Sequence, residues 1–234
     1  MYILEGNIGA GKSTLLTLLP THIPHLAILQ EPTHKWHNTD QGHSLLNLFY
    51  QNQQRWAFTI ETLAMISRVN DHLSEQRKKN KISIMERSIY SGYFCFAKNG
   101  YQNGFMTDIE WNIHNQWFDF LTARKCHLPH GFIYIQTDPN IAYERIKKRS
   151  RDAEQSISFA YIKQIHDFHE EFLILKRGIS PVLEKIPVLV LNGNSEFEND
   201  HTQLKEHATR INQFVSKTYQ PLPMNLRHQQ PSSQ

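Results

Sequence analysis

Tyr2-Ile3-Leu4-Glu5-Gly6-Asn7-Ile8-Gly9-Ala10-Gly11-Lys12-Ser13-Thr14 decides how the chain is read. Gly6 to Ser13 fill every fixed position of G-x-x-x-x-G-K-[ST]. The apolar run Tyr2–Glu5 ahead of it reads as a core strand, and Lys12–Leu19 after it as a helix. Strand, glycine loop and helix start together make an anion cradle. Glycines let backbone N–H groups turn inward, and the helix N-terminus adds partial positive charge. Lys12 is expected to reach the β- and γ-phosphates of a nucleoside triphosphate, and Ser13 to ligate Mg²⁺. Thr14, next in the helix, is grouped with the loop. The plain alternative is a glycine turn followed by a chance Lys-Ser; the agreement of pattern and context argues against it. Alone, the loop implies only that a nucleoside triphosphate binds.

Beyond the loop, four more short β-like runs follow: Leu26–Gln30, Ile82–Met85, Phe132–Gln136 and Val188–Leu191. Helical patterns lie between them. Trp56, Ile60, Leu63 and Ile66 or Ser67 are spaced by three and four, predicting a helix over Gln54–Lys79. Asp108–Lys125 is another, with Trp111, Trp117, Phe118 and Leu121 as core candidates. Thr137-Asp138-Pro139 is a strand exit with proline at the first helical position, opening Asn140–Arg149. Ser158–Arg177 and Asp200–Lys217 complete the set. Alternating strands and helices predict an α/β fold with a five-stranded, mostly parallel sheet covered on both faces. We read one domain over 1–218. The segment 219–234, rich in Pro, Gln and Ser, is expected to be a disordered tail.

The chain has 234 residues, 39% of them hydrophobic and 20% charged, with a formal net charge of +3. This is globular composition, and the basic residues are spread along the chain, so no nucleic-acid polymer is expected as a partner. Lys78, Lys79 and Lys81 read as a solvated helix end. Cys95 and Cys126 match no zinc or CxxC spacing, and a reducing cytoplasm is the simplest setting. No apolar run reaches membrane-spanning length, and no leader is expected before the first strand. The 14 histidines include His34/His37 and His166/His169, yet no ligand set completes a metal pattern.

Carboxylates and guanidinium groups recur at strand ends, which face the ligand crevice in a parallel α/β sheet. Glu31-Pro32 follows the second strand, with Trp36 soon after. Glu86-Arg87-Ser88 follows the third. Arg145, Arg149 and Arg151 lie in and after the helix behind the fourth. A carboxylate there can accept the proton of an attacking hydroxyl, and arginines can close over phosphates. Each has a bland reading: a solvated strand end, a core aromatic, a structural ion pair, an exposed helix end. Their repetition downstream of a phosphate loop favours catalysis.

The ordered set of the phosphate loop, Glu31-Pro32-x-x-x-Trp36, Tyr50…Arg55-Trp56-x-Phe58, Glu86-Arg87-Ser88 and Arg145-x-x-x-Arg149-x-Arg151 resembles the deoxynucleoside kinases. The resemblance covers Tyr2 to about Leu191. It implies a three-layer P-loop NTPase-type fold with an arginine-rich lid. It also implies transfer of the γ-phosphoryl group of ATP to the 5′-hydroxyl of a deoxynucleoside, with Mg²⁺, in nucleotide salvage. On this reading Glu31 is the general base. Arg87 holds the 5′-oxygen and the phosphates, and Glu86 helps organise Mg²⁺. Tyr50 and Glu154 bind the sugar 3′-hydroxyl. Trp36, Phe96 and the Phe49 and Ile60 region sandwich the base. A homodimer through Gln54–Lys79 and Asp108–Lys125 is also implied.

Departures bear on the base. Glu61 stands where much of the family has Gln. An ionised carboxylate only accepts hydrogen bonds. It therefore suits guanine, whose N1–H and 2-amino group are adjacent donors. A protonated Glu61 would suit adenine instead, and an ion pair with Arg68 would divert it. Arg68 should crowd the 5-methyl group of thymine. Gly92 replaces an acidic partner of that arginine and is expected to enlarge the pocket. Purine is favoured over pyrimidine, and deoxyguanosine over deoxyadenosine. Ala153, often acidic in the family, carries no assigned role. Two alternatives stay open: a thymidylate-type monophosphate kinase, against which Glu31-Pro32-Thr33-His34 argues, and a nucleotide-binding switch with no small acceptor.

Overall fold

The computed structural model describes residues 1–32, 36, 44–78, 82–149, 151, 154 and 156–219. Five parallel strands form one sheet: β1 (Tyr2–Gly6), β2 (Ala27–Leu29), β3 (Ser83–Glu86), β4 (Gly131–Gln136) and β5 (Val188–Asn192). Their order across the sheet is β2-β3-β1-β4-β5. The central strand β1 pairs Leu4 with Glu86 on one side and with Ile133 on the other. From β1 the chain runs to the edge strand β2 and then back through β3, past β1, to β4 and β5, so a crevice opens beyond the carboxyl ends of β1 and β3.

Alternation along each strand sends side chains to opposite faces. Tyr2, Leu4, Ile133 and Ile135 pack with α1 (Lys12–Leu18) and the C-terminal helix α10 (His201–Thr218). Ile3, Met85, Phe132 and Tyr134 pack on the other face. Their neighbours are α3 (Gln53–Gln76), α6 (Asp108–Arg124) and the segment after β3. That segment is α4 (Ile89–Ser91), a π-helical turn (Gly92–Ala97) and α5 (Lys98–Gln102). Burying each large apolar side chain contributes about 2 kcal/mol, so this two-faced layering drives the fold. The smaller helices are α2 (Leu45–Gln51), α7 (Pro139–Arg149), α8 (Phe159–His169) and α9 (Pro181–Glu184). A second π turn, Glu170–Ile174, extends α8. Periodicity predicts neither α2 nor the helical segment 89–102.

Every predicted strand is present within a residue or two of its expected ends. The long helix ends at Gln76 rather than Lys79, which lies outside the described residues. Its buried face differs from the predicted stripe. Ala57, Ile60, Glu61, Ala64, Met65, Arg68, Val69, His72 and Glu75 are buried, while Ile66 is exposed. In α6 only Phe118 of the four core candidates is buried, and Trp117 is 54% exposed. Helix α7 begins at Pro139 itself. Tyr219, expected in the tail, packs its ring 5.2 Å from that of His130. The rest of the expected tail, His34, His37, Lys81 and Ala153 lie outside the described residues.

Candidate active site

The phosphate loop leaves β1 and enters α1 with Gly9 at φ 77° and Gly11 at φ 94°. A side chain on Gly9 would put its Cβ 2.3 Å from the Ala142 carbonyl oxygen, so only glycine lets the loop pass under α7. Asn7 ties the loop to α8: its Nδ2 donates to the Ile162 carbonyl at 2.8 Å, and its Oδ1 accepts from Ile8 N. Lys12 is buried, and its Nζ donates to the Asn7 carbonyl at 2.7 Å. Burial, reinforced by Arg87, lowers its pKa to about 7, with Glu86 and Glu31 opposing. A buried cation held by a neutral carbonyl is poised for an anion.

Ser13 Oγ donates to Glu86 Oε1 at 2.8 Å. The other oxygen of Glu86 accepts from the backbone N–H of Glu31 at 3.4 Å. The loop, the end of β3 and the exit from β2 are thereby joined around one carboxylate. Hydroxyl and carboxylate oxygens are the hard donors that Mg²⁺ takes, in company with substrate phosphates. The donor set fits the implied ion.

Arg87 adopts φ 59°, an uncommon backbone for a non-glycine residue. Its N–H still bonds the Leu4 carbonyl at 2.9 Å, and its guanidinium lies 4.6 Å from the centre of the Phe96 ring. The turn directs Arg87 at Glu31, whose Oε2 is 3.3 Å from Arg87 Nε. Glu31 Oε1 accepts from both Nε and Nη2 of Arg68, at 2.8 and 2.7 Å. Arg68 therefore bonds Glu31 rather than Glu61, and the alternative of a diverted Glu61 does not arise. Burial pushes the pKa of Glu61 up to about 7, against the pull of Arg68 and with the help of the Glu31 charge.

One crevice gathers most of the residues singled out from sequence. Ile8, Gly9, Lys12, Ser13, Glu86 and Arg87 form its phosphate end. Glu31, Trp36, Phe49, Ile60, Glu61, Arg68 and Phe96 form its deep end. Tyr50, Arg149, Arg151 and Glu154 line the lid side. Glu154 is engaged by Arg149, whose Nε and Nη2 donate at 2.7 and 2.6 Å. Two residues depart from expectation. Gly92 does not line the crevice: a Cβ there would stand 2.5 Å from Arg68 Nη1, so the arginine occupies the expected space. Arg145 faces away, donating to the Gly193 carbonyl at 2.7 Å. It belongs to a second cavity on the far side of the loop, with Gly9, Gly11, Thr14 and Arg149. Gly6, Asn7 and Ala10 shape the loop without lining either cavity.

Sequence reading missed Tyr161, Leu46 and Gln30 in the crevice, and Lys148 and Phe197 in the second cavity. Phe197 leans on the loop, where a Cβ on Gly11 would meet its ring at 2.7 Å. None of these residues fills a fixed position of a motif. Tyr161 alone carried a signal, an aromatic in the first turn of a helix following a basic segment.

A phosphate-loop sequence opening into a crevice with a buried carboxylate and several arginines has the make-up of a P-loop phosphotransferase. The family model for deoxynucleoside kinases matches residues 2–216. The chain is 34% identical to deoxycytidine kinase 2 of Gallus gallus, over 91% of this chain and 89% of that one. It is 32% identical to the mitochondrial deoxyguanosine kinase of Xenopus laevis, over 91% and 88%. It is 32% identical to human mitochondrial thymidine kinase 2, over 89% and 76%. The chain belongs to the deoxynucleoside kinase family. It is a kinase, and the switch alternative falls with that assignment. No helix among the described residues is long and apolar enough to cross a membrane.

Proposed function

We propose that this protein transfers the γ-phosphoryl group of ATP to the 5′-hydroxyl of a purine deoxynucleoside, deoxyguanosine ahead of deoxyadenosine. The observation that carries the reading is Glu31: a buried carboxylate fixed by Arg68 and Arg87 in the crevice that also holds Lys12. Glu31 orients the acceptor hydroxyl and takes its proton late, because the transition state of phosphoryl transfer is loose. Lys12, Arg87, Arg149 and Arg151 balance charge on the transferred group. Ser13 and Glu86 would hold Mg²⁺, which when bound neutralises charge on the donor phosphates. Tyr50 and Glu154 receive the sugar 3′-hydroxyl, and Trp36, Phe49, Ile60 and Phe96 enclose the base. The second cavity, with Thr14 and Arg145, takes the remainder of ATP.

The deep end supports a purine through Glu61. As a carboxylate it accepts from guanine N1–H and the 2-amino group. A pKa near 7 also keeps its protonated form in play, which serves adenine. A cytoplasmic setting fits Cys95 and Cys126, both free thiols. A homodimer fits the exposed apolar residues Ile109, Ile113, Trp117 and Phe120 of α6, with Ile66 of α3 beside them.

The test is ATP-dependent phosphorylation of deoxyguanosine, deoxyadenosine, deoxycytidine and thymidine in parallel, with dGMP and dTMP as control acceptors. Turnover led by deoxyguanosine supports the reading; turnover only with a monophosphate replaces it. Glu31→Gln should lower kcat by roughly 10²–10⁴-fold while nucleoside binding changes little. A near-normal kcat removes Glu31 from its role.

A further inference from the structure

Gly92 has an ordinary helical backbone, φ −52° and ψ −50°. Nothing in that conformation calls for glycine, and glycine in a helix is less stable than alanine. What glycine provides is room. A Cβ at this position would lie 2.5 Å from Arg68 Nη1. The guanidinium fills that notch with rings on its other sides, Trp36 at 5.5 Å and Phe96 at 5.9 Å. From there its Nε and Nη2 converge on one oxygen, Glu31 Oε1. The other oxygen has a longer contact, from Arg87 Nε at 3.3 Å. A carboxylate has about four acceptor positions, so Oε2 is the oxygen with capacity for a substrate hydroxyl.

We infer that Arg68 is a positioning residue for Glu31, and that the bare surface of Gly92 is what seats it. Arg68 fixes the rotation of the carboxylate so that Oε1 is taken and Oε2 is presented to the acceptor. Arg68 stands two helical turns from Glu61 on the same face of α3, so one helix carries both the residue that holds Glu31 and the residue proposed to read the base. The inference rests on the proposed role of Glu31 and adds to it what holds that residue in place. A merely charge-balancing Arg68 would tolerate displacement by about an ångström; a positioning Arg68 would not.

The discriminating variant is Gly92→Ala. Its methyl meets only the far end of a flexible side chain, so the fold is retained and the guanidinium moves. We expect kcat with the best nucleoside to fall about tenfold or more, with a smaller change in KM and an unchanged or higher Tm. In an Arg68→Lys background, where the slimmer ammonium leaves the notch, adding Gly92→Ala should cost little further. This non-additivity is the signature of a shared site. A wild-type kcat for Gly92→Ala overturns the inference. So does an equal loss from Gly92→Ala with and without Arg68→Lys, or an Arg68→Lys enzyme with full kcat. Glu31→Gln, assayed alongside, separates the two failures: if it keeps its kcat, the proposed role of Glu31 falls as well.

Discussion

Glu61, proposed to face the base, would link stability to recognition through one buried side chain. Its pKa is raised from 4.5 to about 7, chiefly by burial. A carboxyl with a raised folded-state pKa contributes stability that is fully present below about pH 4.5 and is lost as pH rises through about 7. Gln has no such titration. The Tm of Glu61→Gln relative to wild type should therefore climb between about pH 5 and pH 8, as measured by calorimetry across that range. A flat difference would place Glu61 in contact with water. The same substitution should erase any advantage of deoxyguanosine over deoxyadenosine, since an amide offers guanine one acceptor and an unwanted donor. Much at this scale was legible. Glu31, Glu86 and Arg87 were found because strand ends converge in this topology. Arg68 and Gly92 were noticed, yet their packing was not, because nothing in a linear chain says which side chain fills the space a glycine leaves.

At the scale of elements, Ser88 joins two jobs. Its Oγ accepts from the N–H groups of Tyr90 and Ser91, capping α4, and donates to Glu5 Oε1 at 2.6 Å. Glu5 is fully buried, and burial raises its pKa. Ser88→Ala removes a cap and strips a buried carboxyl of the nearer of its two hydroxyl partners, Ser91 being the other, a loss of about 2–3 kcal/mol. For a chain of this size, Tm should drop by roughly 5–10 °C, read by thermal unfolding. An unchanged Tm would mean that Glu5 finds another donor. The strands were legible because apolar runs bounded by polar exits leave little choice. The inward face of α3 was not, because Glu61, Arg68, His72 and Glu75 are buried on it. A helix that lines a polar crevice and supports a core has no single hydrophobic stripe. The segment 89–102 escaped periodicity because its middle turn is π-helical, which breaks the 3.6-residue repeat.

For the whole molecule, the outer faces of α3 and α6 leave Ile66, Ile109, Ile113 and Trp117 in solvent, with Ile109 73% exposed. Apolar side chains gathered on adjoining helices mark an interaction surface, and a second copy is the proposed occupant. Ile109→Lys with Trp117→Lys should convert a dimer to a monomer in sedimentation analysis, with the fold intact by circular dichroism. A wild-type monomer would end that proposal. The pairing of Arg149 with Glu154 reaches further still, because Arg149 borders both cavities and Glu154 lines only the crevice. On the proposed roles, the arginine is wanted by the phosphates and the carboxylate by the sugar, and each holds the other until a substrate claims it. The first substrate to arrive parts them; the second finds its partner already released. The two affinities are then thermodynamically linked, each substrate tightening the other by the same factor. The enzyme would bind its donor weakly when no nucleoside is present, which limits futile hydrolysis of ATP.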